Sequence, residues 1–173
     1  PFVGMNESAA QWVGESDWMY RCTFDLDEAQ FENSAIDLCF DGLDTIAHVY
    51  LNGVEILYSD NMFIPQRVAV RTLVKPGTNQ LQIHFESALQ IGKQREAEYG
   101  IKQVWNGDPS RVYVRKAQYH YGWDWGPVLM TAGPWRDVRV ECYDARIAEI
   151  ACPPAIAADL SHVSLPVSIH IED

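Results

Sequence analysis

Within seven residues the sequence gathers Tyr119, His120, Tyr121, Trp123, Asp124 and Trp125, bracketed by Gly122, Gly126 and Pro127. Aromatic rings offer flat apolar faces for the C–H side of a pyranose, and a carboxylate accepts hydrogen bonds from two adjacent hydroxyls. That combination is the chemistry of sugar recognition. The flanking glycines and proline put Trp-Asp-Trp on a tight loop, and alternation along it sets Trp123 and Trp125 on one face and Asp124 on the other. A second reading makes the rings core and Asp124 a turn cap. Tryptophans are costly in a loop without a partner surface, which favours recognition. The surrounding stretch, residues 111–139, carries a local excess of three positive charges in a chain of net −11.

Other candidates for chemistry are weaker. Asp108 and Asp124 could be posed as the acid and nucleophile of a glycosidase, which in a retaining enzyme stand ~5–5.5 Å apart. Asp108 lies in Asn106-Gly107-Asp108-Pro109, however, where turn formation is the better account. His48 and His84 fall within strand patterns, and His120 has no neighbouring His or Cys, so no metal ligand set is expected. There is no glycine-rich phosphate loop, no Gly-x-Ser-x-Gly elbow and no Cys/His nucleophile context. Catalytic residues are not expected within these 173 residues, nor is a cofactor.

The elements that must hold this loop are strands. Trp18, Tyr20, Cys22 and Phe24 alternate onto one face, as do Ile36, Leu38 and Phe40. Residues 45–57 read as a hairpin turning at Asn52-Gly53, a type I′ signal because both central residues need positive φ. Val68, Val70 and Thr72 alternate up to the Lys75–Asn79 turn, and Leu81, Ile83 and Phe85 follow. Residues 87–99 are polar and hold a short helix or an ordered loop. Strand character is expected again over residues 111–118 and 135–142. With at most one helix, a parallel α/β sheet is excluded and an all-β sandwich follows. Near Asp144 the register restarts. Residues 145–147 and the alternating run Val163, Leu165, Val167, Ile169 and Ile171, with Pro166 on the opposite face as in an edge strand, look like the opening of a second β domain.

Composition bounds the remaining possibilities. The chain is 47% hydrophobic and 12% aromatic, enough for a buried core. With 13 Lys+Arg against 24 Asp+Glu, general nucleic-acid binding is disfavoured. No apolar run approaches the ~20 residues of a membrane-spanning helix. Cys22, Cys39, Cys142 and Cys152 lack paired spacing and read as structural and unpaired, pointing weakly to a reducing, cytoplasmic setting. Pro1 and Asp173 both read as cut ends, so the compartment stays open.

The run Arg115-Lys116-Ala117-Gln118-Tyr119-His120-Tyr121-Gly122-Trp123-Asp124-Trp125-Gly126-Pro127, followed by Gly133-Pro134-Trp135-Arg136, resembles the N-terminal domain of β-mannosidases of glycoside hydrolase family 2. Flanking segments agree in order: residues 1–7, 12–15, 18–21, 40–45 and 50–53. The resemblance spans essentially the whole chain. It implies a jelly-roll-like sugar-binding domain over residues 1–143, lacking the family's first strand, and the start of an immunoglobulin-like sandwich over residues 144–173. It also implies a catalytic barrel further along the parent chain, carrying both glutamates of a retaining mechanism.

By the same resemblance, Asp124 contacts hydroxyls of the terminal mannosyl unit, with Trp123 beside it, Trp125 as a supporting wall and His120 as a partner behind them. The implied parent is an exo-acting β-mannosidase acting on mannan-derived oligosaccharide or glycoprotein-derived mannoside, with these residues inactive alone. Its partners would be the sugar and the remaining domains, with no nucleic acid and no membrane. A free-standing carbohydrate-binding module or lectin is the alternative, and a different glycosidic specificity within the same architecture is a third reading.

Overall fold

The structure, a computed structural model, describes residues 3–173; Pro1 and Phe2 of the first family-like segment lie outside that range. Two short helices, α1 (Asn6–Ala9) and α2 (Trp12–Glu15), lead into β1 (Trp18–Leu26). Helix α3 (Glu28–Glu32) then precedes β2 (Ala35–Phe40), β3 (Leu43–Asp44), β4 (Ile46–Leu51) and β5 (Val54–Ser59). Next come β6 (Gln66–Ala69), β7 (Gly77–Glu86) and the longest helix, α4 (Ala88–Tyr99). Two 3-10 turns, Pro109–Tyr113 and Gln118–Tyr121, separate α4 from β8 (Gly133–Pro134) and β9 (Val138–Tyr143).

Strands β1-β7-β4-β5 form one antiparallel sheet and β6-β2-β9 another, while β3 pairs with β8. The two larger sheets enclose one core. Ile36, Leu38 and Phe40 from β2 meet Ala47, Val49 and Leu51 from β4 and Leu81, Ile83 and Phe85 from β7. Each fully buried Leu, Ile or Phe contributes about 1.5–3 kcal/mol relative to exposure, so the period-two pattern of these strands selects which face turns inward. This is the expected all-β, jelly-roll-like sandwich.

The local expectations meet mixed outcomes. Asn52 and Gly53 take φ of 50° and 84°, as a type I′ hairpin requires, and the Asn52 amide donates to the Leu73 carbonyl and to Asn79 Oδ1 at 2.9 Å each. The polar stretch after β7 is helical: Ser87 Oγ accepts from the Gln90 N–H at its start, and the Gly100 N–H donates to the Glu96 carbonyl at its end. All four cysteines are free. On the edge strand β1, Trp18 and Phe24 reach the core, while Tyr20 and Cys22 are exposed, Tyr20 lying edge-on to Phe85 with its hydroxyl on the Ala132 carbonyl.

Two strand expectations are corrected. Residues 111–118 form no strand. Asp108 caps the first 3-10 turn by accepting from the Ser110 N–H at 2.9 Å, confirming its turn role, and Arg115 makes only an isolated bridge to Asn61. The alternation there is real in one respect, since Val114 is buried, but it packs with Ile46, Ala88, Tyr121 and Met130 outside the main core. Nor is the run from Val163 to Ile171 one strand. It divides into β12 (Val163–Ser164) and β13 (Ser168–Glu172), with Pro166 between them, where the missing N–H interrupts the ladder.

Beyond Asp144, β10 (Arg146–Ala151) pairs with β13 and β11 (Ala155–Ile156) with β12, and neither pair hydrogen-bonds to the larger sheets. Ile147, Ile150, Ile156, Val163, Ile169 and Ile171 are all exposed on these strands.

Candidate functional site

The Trp-Asp-Trp segment folds as a closed turn. The Trp123 N–H donates to the Gly126 carbonyl and the Gly126 N–H to the Trp123 carbonyl, both at 3.2 Å, so Asp124 and Trp125 occupy the tip. Its base is shaped by Gly122, whose φ of 81° and ψ of 178° lie in a region essentially reserved for glycine. A Cβ there would also stand 2.7 Å from Val128 Cγ2. The returning segment is held from two directions. The Val128 N–H donates to Glu7 Oε1 at 2.9 Å and its carbonyl accepts from Gln11 Nε2 at 3.1 Å, which ties it to the N-terminal helices. The Leu129 N–H donates to the His120 carbonyl at 3.0 Å.

Trp123 is 51% exposed and Trp125 85%, which excludes the reading of these rings as core. Nor does Asp124 cap the turn: its side chain makes no hydrogen bond or ion pair among the described residues, so its oxygens are free for a ligand. The tip separates two recesses. Trp123 and Trp125 line a cleft of about 340 Å³ with Tyr119, His120, Leu129 and Thr131. Asp124 lies on the other side, in a recess of about 270 Å³ that it shares with Asn106, Gly107 and Trp123. The expected split of the loop into an aromatic face and a carboxylate face is therefore present, with Trp123 bordering both.

His120 is not brought to Asp124. Its Nδ1 meets the Leu129 carbonyl at 2.7 Å and its Nε2 lies 3.7 Å from Asp44 Oδ2. Burial, aided by the Lys116 ammonium, pushes its pKa below the usual imidazole range. A neutral ring that donates from Nδ1 to a carbonyl leaves Nε2 as an acceptor.

Below the cleft lies a group that the sequence reasoning missed. The Lys116 side chain is 0% exposed and that of Asp44 3%, and Nζ donates to Asp44 Oδ2 and to the Thr131 carbonyl at 2.6 Å each. The Thr45 hydroxyl donates to the other Asp44 oxygen. Burial pushes the Lys116 pKa down and Asp44 opposes that fall. The pair ties β3 to the segments on either side of the turn. No spacing announces it, because Asp44 and Lys116 are 72 positions apart. Asn106 was likewise read only as a turn residue; the fold sets it beside Asp124, and its Oδ1 accepts from Arg111 Nη1 at 3.3 Å. Asp108, the other carboxylate considered, is engaged by its own turn.

With this geometry in view, comparison with known proteins decides the family. Residues 1–136 match the glycosyl hydrolase 2 galactose-binding domain-like family. The chain belongs to that family. Within the glycosyl hydrolase 2 proteins, it is 45% identical over 170 residues to Beta-mannosidase B of Thermothelomyces thermophilus, covering 97% of this chain and 20% of that protein. It is 48% identical over 176 residues to Beta-mannosidase B of Neosartorya fischeri, covering 99% of this chain and 20% of that one. The crystal structure of a β-D-mannosidase from Dictyoglomus thermophilum matches with a TM-score of 0.91 and 36% identity, over 99% of this chain and 21% of that chain. A β-glucuronidase from an uncultured Clostridium sp. shares the fold, with a TM-score of 0.60 at 19% identity over 91% of this chain and 24% of that chain. The chain thus spans about a fifth of the length of the curated relatives that it matches.

Proposed function

We propose that these residues are the N-terminal sugar-binding part of an exo-acting, retaining β-mannosidase that removes terminal non-reducing β-D-mannose units. The observation that carries the reading is the exposed turn at Trp123–Gly126, with an unpaired Asp124 at its tip between two exposed tryptophans. It stands in a chain collinear with proteins named Beta-mannosidase B. Asp124 accepts hydrogen bonds from two adjacent hydroxyls of the terminal sugar, and Trp123 covers a C–H face beside it. Trp125 walls the turn from the other side, and His120 braces the segment behind it. A turn that closes one side of a pocket favours action on a chain end.

A retaining glycosidase needs two carboxyl groups ~5–5.5 Å apart across the scissile bond. On this reading both belong to a barrel elsewhere in the parent chain, and residues 1–173 alone have no hydrolytic activity. Residues 1–143 act as the sugar-binding domain, and residues 144–173 open an immunoglobulin-like sandwich whose further strands cover the exposed face of β10 and β13. The substrate is a mannan-derived oligosaccharide or a glycoprotein-derived mannoside.

The test is hydrolysis of aryl β-mannoside, β-galactoside, β-glucoside and β-glucuronide by the full-length protein, with residues 1–173 alongside. Activity confined to the mannoside and absent from residues 1–173 supports the proposal. Activity on another glycoside retains the architecture and rejects the specificity. If no glycoside is cleaved and residues 1–173 bind a mannoside unaided, the chain is a binding module or lectin.

A further inference from the structure

The proposed function uses the carboxylate side of the turn and leaves the aromatic side without an occupant. That side is a formed cleft of about 340 Å³, within the range of small-molecule sites. Its walls are the rings of Tyr119, Trp123 and Trp125 and the side chain of Leu129, with His120 and Thr131 as its polar members. We propose that this cleft binds a second pyranose ring: the leaving-side sugar of an oligosaccharide whose terminal unit is held by Asp124. The inference rests on the sugar-binding role proposed above for Asp124 and adds the subsite next to it.

Three features support this occupant. First, Trp123 borders both the cleft and the recess that holds Asp124, so adjoining rings of one oligosaccharide can pass over it and meet both. Second, the walls are aromatic and almost wholly apolar, which suits the C–H face of a pyranose and not a charged ligand. Third, the polar groups are few and of the right kind. His120 shows the cleft only its ring, since Nδ1 meets the Leu129 carbonyl and Nε2 faces the buried Asp44 at 3.7 Å, and Thr131 is exposed. A sugar hydroxyl can donate to or accept from the Thr131 hydroxyl. Tyr119, whose ring lies tilted against His120 at 4.6 Å between centroids and is 71% exposed, supplies a second aromatic wall.

The experiment compares Tyr119→Ala, Trp125→Ala and Asp124→Ala in the full-length protein on methyl β-mannoside, which has no second sugar, and on β-1,4-linked mannobiose. The readout is the ratio of kcat/KM for mannobiose to kcat/KM for the methyl glycoside. Loss of one stacked ring is expected to lower this ratio about tenfold in Tyr119→Ala and Trp125→Ala. Asp124→Ala should lower both rates together and leave the ratio near that of the wild type. A ratio unchanged in the two aromatic variants, or a fall of both substrates in equal proportion, overturns the subsite. In that event the rings support the turn or receive another part of the parent chain. The wild-type rates report separately on the proposed function: a wild type inactive on both mannosides rejects that reading before any variant is compared.

Discussion

Replacing Lys116 by Met tests how the floor beneath the turn is held. The ammonium has two short contacts, 2.6 Å to Asp44 Oδ2 and 2.6 Å to the Thr131 carbonyl, and its side chain has no exposure to solvent. Methionine keeps most of the volume and removes the charge. Asp44 then keeps the Thr45 hydroxyl on one oxygen but has no cation within hydrogen-bond reach of the other. Breaking a buried pair in this way costs about 3–5 kcal/mol, because one charge is left buried without compensation. For a chain of this size that corresponds to a fall in Tm of about 6–20 °C. Urea denaturation of residues 1–173, followed by tryptophan fluorescence and far-UV circular dichroism, measures it. Lys116→Met with Asp44→Leu serves as the control: removing both charges should recover most of the loss, leaving mainly the orphaned Thr131 carbonyl. A single variant that loses less than about 1 kcal/mol, or a double variant as unstable as the single, would refute the reasoning. A second readout is independent of stability. Lys116 helps to push the His120 pKa down, so in the single variant His120 should titrate at higher pH, as followed by imidazole NMR signals.

Three further outcomes are expected. Gly122→Ala should cost about 1–3 kcal/mol, since it combines a glycine-only backbone conformation with a Cβ 2.7 Å from Val128; a stability equal to wild type in the same urea assay would contradict this. Asp124→Ala should change stability by no more than about 0.5 kcal/mol, because the exposed carboxylate has no internal partner, while mannoside hydrolysis by the full-length protein falls strongly. His48 lies 2.8 Å from both Glu55 and Glu86, and its pKa is raised chiefly by the hydrogen bond that its Nδ1 donates to Glu55. Its contribution is fully present below the unfolded imidazole value of about 6.5 and fades as pH rises through the higher folded value. His48→Asn should therefore lose about 1 kcal/mol or less near pH 5.5 and still less near pH 9, and urea midpoints with the opposite trend would refute the clamp.

Much of the sandwich was legible because its determinants are local. The inward faces of β2, β4 and β7 follow from the period-two alternation of their apolar residues, although β2 is buried on both faces, and the β4–β5 turn follows from the positive φ that Asn52-Gly53 tolerates. The Trp-Asp-Trp loop was legible for a similar reason, since glycines and a proline around costly rings leave few alternatives to an exposed turn. The same logic misread residues 111–118. Their alternation matched a strand, but capping by Asp108 and burial of Val114 against α4 and its neighbours compete with sheet pairing, and local pattern cannot weigh that competition.

The sequence by itself therefore determined the class of fold, the exposed turn and the chemical character of its tip. Only the tertiary structure decided what surrounds the tip. It buried Lys116 against Asp44 across 72 positions, turned His120 toward Leu129 and Asp44 and away from Asp124, and brought Asn106 beside the carboxylate. These pairings depend on how non-adjacent segments share one buried volume. A hydrogen bond or ion pair across such a distance leaves no period in the chain, because either partner alone looks like an ordinary polar residue until the fold removes it from water.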